Sequence, residues 1–251
     1  MIRRLAIGAT ALACLATAAL PAAAITHGHP DGSRHPAVGA LVADQAYSDG
    51  TWTYCSGTLI AADIFLTAAH CGDQGERVRV TFASAYQDGD TIYTGTFHAD
   101  PAYSQKQSNP HDIAVVVLEQ PVGDIAPAQL PAAGSLSTLK HGQSFTSVGF
   151  GAYEVTRGKG GHHYLYNDVR MATKGSLDAV NPSWLRLSMN PATGDGGTCY
   201  GDSGGPNFLG DSDIIAATTI TGDAICRATN VDYRLDTASA RSFLAAYVTL
   251  P

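Results

Sequence analysis

The sequence predicts an all-β fold, and three observations carry that reading. Twenty-seven glycines and 12 prolines punctuate the chain, stretches of helical periodicity are few, and short apolar or alternating runs recur between turn-forming clusters. Val78-Arg79-Val80-Thr81-Phe82 alternates apolar and polar in the manner of a half-buried strand, whereas Ile113 to Leu118 is a continuous apolar run that suits a strand covered on both sides. Ser144 to Phe150 and Ile214 to Ile220 read similarly, and turns fall at Asp88-Gly89-Asp90 and Gly158 to Gly161. One helix is expected, at the C-terminus, where Asp236 or Thr237 can cap it and Ala240, Leu244, Tyr247 and Val248 fall on one face. The stretch from Glu119 to Gly134, rich in Pro and Ala and without periodicity, reads as a linker. It separates halves of about 100 residues, each enough for one small barrel.

Composition narrows the functional classes. Of 251 residues, 45% are apolar and 15% charged, which excludes intrinsic disorder. Fifteen Lys and Arg stand against 22 Asp and Glu, a formal charge of −7, so the chain lacks the basic character that drives phosphate binding, and nucleic acid is not an expected partner.

The first 24 residues read as a secretory signal peptide: Arg3 and Arg4, an apolar run from Leu5 to Leu20, then Pro21-Ala22-Ala23-Ala24. The run is shorter than the about 20 residues of a membrane span, and cleavage is expected after Ala24, leaving residues 25–251 extracellular and without a membrane anchor. Removal takes two arginines and no acids, moving the charge from −7 to −9. It also removes Cys14, so five cysteines become four: Cys55, Cys71, Cys199 and Cys226. An even number in an exported chain suggests two disulfides, and four cysteines allow three pairings that the sequence leaves open. Joining nearest neighbours is the natural guess because it closes two short loops, each adding about 3 kcal/mol on a chain-entropy account. Without a Cys-x-x-Cys pair, zinc is not expected.

Three separated segments supply the parts of a nucleophilic hydrolase: Thr67-Ala68-Ala69-His70-Cys71, Asn109-Pro110-His111-Asp112-Ile113-Ala114 and Gly201-Asp202-Ser203-Gly204-Gly205-Pro206. A serine hydroxyl needs an imidazole to take its proton, and the imidazole needs a carboxylate to fix its tautomer and stabilise its charged form. Ser203, His70 and Asp112 are the candidates. Glycines around Ser203 let the backbone turn so that the amides of Gly201 and Ser203 converge on one oxygen, forming an oxyanion hole.

In the chain order His, Asp, Ser, the sequence resembles the chymotrypsin/trypsin family of serine endopeptidases; subtilisin-like enzymes begin with Asp and α/β-hydrolases with Ser. Gly149-Phe150-Gly151 is similar to the family's Gly-Trp-Gly turn. The cysteines fall where the family bridges the histidine loop (Cys55 with Cys71) and the specificity pocket (Cys199 with Cys226). The resemblance covers essentially all of 25–251 and implies two six-stranded antiparallel barrels, 25–125 and 126–251, the second carrying the helix, with the active site between them. It also implies protein or peptide substrates, protein inhibitors of proteases as further partners, a monomer, and no cofactor or metal. A catalytically silent binding module on the same fold is the alternative, although no member of the trio is replaced.

The resemblance extends to activation and specificity. Ile25-Thr26-His27-Gly28 looks like the family's new N-terminus, whose ammonium group would pair with Asp202, and it begins at the expected signal cleavage site. The pocket floor falls at Gly197, where trypsin-like enzymes carry Asp, and the walls at Gly222 and at Thr229 or Asn230. Without a floor carboxylate, an uncharged residue before the scissile bond is expected rather than Arg or Lys, although Asp195 and Asp223 lie close enough in sequence to restore some basic preference. Thr219, Ile220 or Thr221 stands where the family usually offers a serine near the triad aspartate, leaving open what bonds to Asp112. His27, His29, His35, His162 and His163 read as solvated loop histidines, Asp88, Asp90 and Asp100 as solvated turns, and Arg157 to His163 as an exposed, cleavable loop.

Overall fold

Alternating and continuous apolar runs close into two barrels in the computed structural model, which describes Ile25 and residues 27–251. The expected signal segment, with Cys14, lies outside the described residues. A two-residue strand, β1 (His29–Pro30), precedes the first barrel, which comprises β2 (Val38–Val42), β3 (Thr53–Ala61), β4 (Ile64–Thr67), β5 (Arg77–Thr81), β6 (Tyr93–Ala99) and β7 (Ala114–Leu118). These six strands pair antiparallel in the closed order β2-β3-β4-β7-β6-β5. The second half contributes β8 (Ser144–Gly149), the hairpin β9 (Glu154–Gly158) and β10 (Gly161–Leu165), then β11 (Met171–Val180), β12 (Trp184–Ser188), β13 (Pro206–Leu209), β14 (Ile215–Gly222) and β15 (Thr229–Arg234). The order β11-β12-β15-β14-β13-β8 closes through a β11–β8 pairing, and β1 adds to the edge of β11. Two six-stranded barrels, as expected, leave few open strand edges.

The helix α1 (Ala238–Leu244) starts where Thr237 Oγ1 accepts from the Ala240 amide at 3.2 Å. Ala240 and Leu244 are buried in the same apolar cluster as Phe65, Leu66, Phe97 and Val115 of the first barrel, with Tyr247 and Val248 packed at its margin. The C-terminal helix therefore straps the second half of the chain to the first. Leu136, Phe145, Leu177, Leu185 and Leu187 form a separate core inside the second barrel. Both nearest-neighbour disulfides are present, Cys55–Cys71 and Cys199–Cys226. Between the barrels, the Pro- and Ala-rich stretch is pinned rather than loose: Val122 N–H donates to Ala62 O and Ala128 N–H to Leu59 O.

Three sequence expectations change in the folded chain. His35 is not solvated; its Nδ1 lies 2.6 Å from Asp31 Oδ1, and its ring stacks on Phe208. Asp100 is not a solvated turn residue but is buried, receiving the Ala102 amide and facing His111 Nδ1 at 3.1 Å. Arg157 to His163 is exposed, as expected, but forms the paired tip of the β9–β10 hairpin rather than a loop. Only the Phe208 ring beneath His35 is distant in sequence; Asp31, His111 and the facing hairpin strand all lie within about a dozen residues of what they cover.

Polar groups, not only apolar ones, hold the halves together. Arg170, immediately before β11, is buried; its Nε donates to Asp31 Oδ2 at 2.9 Å, and its other nitrogens donate to the carbonyls of Gly32, Val38 and Phe82. Burial pushes the Asp31 carboxyl up, but the hydrogen bond and charge of His35 and the hydrogen bond from Arg170 outweigh it and hold the group below its ordinary range. Its folded value is thus depressed, so its contribution to stability is full above the unfolded carboxylate value and is lost as pH falls through the folded value. Arg170→Met is expected to destabilise the fold by about 3–5 kcal/mol, because Asp31 stays buried without its guanidinium partner. Denaturant unfolding at neutral pH measures this, and a loss under about 1 kcal/mol, the scale of an exposed pair, would contradict the account.

Candidate active site

The three expected residues arrive from three turns. His70 lies in the one-turn 3₁₀ helix Ala69–Cys71 directly after β4, and the Cys55–Cys71 disulfide ties that turn to β3. Asp112 precedes β7 and follows His111, whose φ of +51° is unusual for a side chain of that size. Ser203 sits in the turn before β13. The first barrel therefore supplies imidazole and carboxylate, and the second supplies the hydroxyl.

Asp112 is buried and spends both oxygens on His70: Oδ2 lies 2.8 Å from Nδ1, and Oδ1 accepts the His70 backbone N–H at 3.1 Å. Holding Nδ1 in this way leaves Nε2 as the ring nitrogen available to a nucleophile. His70 and Ser203 border the same cavity, of about 580 Å³. No hydrogen bond closes between the Ser203 hydroxyl and the imidazole, a contact that commonly tightens only when substrate is bound. His111 Nδ1 also lies 3.1 Å from Ser239 Oγ, which anchors the strained residue beside Asp112 to the helix.

The backbone around Ser203 explains how two amides come to face the cleft. A trans peptide points its C=O and N–H in opposite directions, so anchoring the carbonyl aims the amide. Tyr200 O accepts from Ala152 N–H at 2.8 Å and Asp202 O accepts from Gly205 N–H at 2.9 Å. The N–H groups of Gly201 and Ser203 therefore point the other way, and neither donates to any described residue. Gly201 has a φ of +96°, which only glycine adopts without strain.

Asp202 holds this turn from beneath. Its carboxylate is buried and accepts the amides of Gly151 and Cys199, each at 2.8 Å. A side chain at Gly149 or Gly151 would collide with that carboxylate, which accounts for the Gly-Phe-Gly sequence. Burial, opposed by those two amides, pushes the Asp202 carboxyl up to about 7.

Ser56, which sequence reasoning missed, completes the support: its Oγ donates to Gly201 O and accepts Phe150 N–H, both at 2.9 Å, while its own amide donates to Ser203 O at 2.8 Å. Its place directly after Cys55 was the only available signal. Asp168 was missed as well. It receives the amides of Trp52 and Thr53 and the Thr53 hydroxyl, docking the segment from Tyr47 to Tyr54 along one side of the cavity.

Of the expected pocket residues, Gly222 lines the cavity together with Thr198, Thr219, Ile220, Thr221 and Asp223. Gly197, Thr229 and Asn230 are not among its lining residues: Gly197 packs on the Met189 side chain, and Asn230 is buried within β15. Asp195 turns away to the hydroxyls of Ser176 and Thr193. Asp223 reaches the cavity but closes its own loop, Oδ1 accepting the amides of Ala228 and Thr229 at 2.8 Å. Burial raises its carboxyl, and the Thr229, Ala228 and Arg227 amides more than reverse this. Thr219 turns to Asn207 rather than to Asp112.

A sequence profile of the Trypsin family matches residues 30–240. The chain belongs to the trypsin family. A vitellin-degrading protease of Bombyx mori is 30% identical over 164 residues, 61% of this chain and 61% of that protein. Among solved structures, HL collagenase superimposes with a TM-score of 0.70 at 17% identity, covering 90% of this chain and all of the collagenase. At that identity the collagenase attests the shared fold alone. In this trypsin-family chain Asp112 is bonded to His70, and His70 and Ser203 line one cavity.

Ser56→Ala is expected to destabilise the trypsin-family fold by about 1–3 kcal/mol, since it strips partners from Gly201 O and Phe150 N–H inside the protein. Equilibrium unfolding checks this, and no loss of stability would mean that the hydroxyl does not hold the turn.

Proposed function

We propose that this chain is a secreted serine endopeptidase that hydrolyses peptide bonds through an acyl-enzyme. The observation that carries the reading is the pair of amides freed by anchored carbonyls on the same cavity as a carboxylate-held imidazole and a serine hydroxyl. In this mechanism His70 Nε2 takes the Ser203 proton as Oγ attacks the scissile carbonyl. Asp112 fixes Nδ1–H and stabilises the imidazolium, and Gly201 and Ser203 N–H receive the oxyanion. His70 then protonates the leaving amine, and water repeats the sequence to release the acid.

An uncharged residue before the scissile bond fits this cleft. Gly197 brings no carboxylate, Asp195 is engaged elsewhere, and Asp223 is committed to its loop. Two disulfides and the Arg-led apolar N-terminal segment support export. Activation by a new N-terminus at Ile25 has two supports. The Ile25 side chain is buried against Met171, beside Tyr153 and Val169, and Asp202 is a buried carboxylate with two amide donors and no basic side-chain partner among the described residues. A cation placed there would pull its raised carboxyl back toward the ionised form.

Purified mature protein is expected to cleave casein, and Asp112→Asn to lower kcat about 10⁴-fold through the wrong imidazole tautomer with little change in thermal stability. Undiminished turnover in Asp112→Asn, or in Ser203→Ala, would rule the mechanism out. Among peptide amides differing only before the scissile bond, Leu is expected to exceed Arg in kcat/KM, and equal values would remove the specificity reading.

A further inference from the structure

A backbone outlier adjoins the proposed catalytic trio. His111 has a φ of +51°, in the left-handed region that side chains other than glycine occupy only at a cost, and it directly precedes Asp112. Its carbonyl accepts the Ile113 N–H at 2.9 Å, which closes a three-residue turn with Asp112 at the centre. The conformation of His111 therefore sets the direction in which the Asp112 side chain leaves the main chain.

That direction matters because no other donor steadies the carboxylate. Among the described residues its hydrogen bonds come from His70 alone, Oδ2 at the ring and Oδ1 at the backbone N–H. Thr219, expected from the sequence near Asp112, is engaged with Asn207 instead.

The His111 ring supplies the missing restraint. Its Nδ1 lies 3.1 Å from Asp100 Oδ2 and 3.1 Å from Ser239 Oγ. A carboxylate only accepts, so the proton of that contact sits on Nδ1. Asp100 is itself buried and held, Oδ1 by the Ala102 amide and its own N–H on Ile113 O, the residue that closes the turn. Ser239 belongs to α1, accepts from Asn109 Nδ2 at 3.3 Å and lies 3.3 Å from Tyr233 Oη in β15. The turn, the helix and the second barrel thus meet on one ring nitrogen.

We infer that His111 is a positioning residue for Asp112: a second imidazole–carboxylate pair, which lines no part of the cleft cavity, pegs the left-handed turn and keeps the Asp112 carboxylate aimed at His70 Nδ1. The inference rests on the peptidase reading of the site and adds a residue outside the trio.

Two properties of this side chain are separable by substitution. Asn tolerates the left-handed region and carries its amide nitrogen at the δ position, where histidine carries Nδ1. Gly takes the same backbone without strain but brings no donor. Ala lacks both properties.

The test measures kcat and KM separately on one peptide amide for wild type, His111→Asn, His111→Gly and His111→Ala. The low-field proton resonance of His70 Nδ1–H is recorded for each, and labelling of Ser203 by a fluorophosphonate is followed in wild type. His111→Ala and His111→Gly are expected to lower kcat about 10²-fold, the scale of a misplaced catalytic group, with KM changed less than about twofold and the His70 resonance shifted or broadened. His111→Asn is expected to keep kcat within about threefold of wild type, with the resonance in place. A purely structural role would lower the thermal midpoint of the variants and leave kcat and the resonance unchanged, and that result would overturn the inference. So would His111→Asn as slow as His111→Ala, or His111→Gly as fast as wild type. Should His111→Ala not fold, the Asn and Gly variants decide alone, since both accept the backbone conformation. Wild type that neither turns over the amide nor is labelled would instead overturn the peptidase reading.

Discussion

Two carbonyls decide what the cleft can do. Because the peptide unit is rigid and trans, fixing Tyr200 O on Ala152 and Asp202 O on Gly205 leaves the intervening amides facing the cavity. Everything around the turn serves that constraint. Asp202 pulls on Gly151 and Cys199, the Cys199–Cys226 bridge fixes one end, and Ser56 reaches across from the first barrel to hold Gly201 O. In the proposed mechanism, donors held in this way need no reorganisation when charge develops on a substrate oxygen.

Placing the site between the barrels follows from how the chain is pinned. Arg170 and Asp168 stand close together at the entry to β11, yet one binds Asp31, Val38 and Phe82 and the other binds Trp52 and Thr53. The helix α1 adds an apolar strap to the first barrel. With relative motion limited by buried polar contacts on one side and a helix on the other, His70 and Ser203 share a cavity despite coming from different barrels.

Local chemistry was legible in the sequence, whereas distant pairing was not. Strands such as Ala114–Leu118 and Ser144–Gly149 announce themselves by apolar or alternating runs, the helix cap by Thr237, and the close approaches at Gly149 and Gly151 by the glycines themselves. Ser56 and Gly201 are 145 positions apart, and Arg170 and Asp31 are 139 apart, so nothing near either partner signals the bond. His35 shows the same lesson from the other side: a polar residue in a turn-like stretch looks solvated until a remote ring covers it. Asp232 lies in a strand whose alternation marks it only as inward or outward, and its donor, Asn207, is 25 positions away on β13.

A crystal structure of the mature protein treated with a fluorophosphonate probes the central claim most directly. The account predicts a covalent bond from Ser203 Oγ to phosphorus, with the phosphonyl oxygen about 2.7–3.1 Å from both the Gly201 and Ser203 nitrogens. An adduct on another residue, or an oxygen pointing away from those amides, would contradict it.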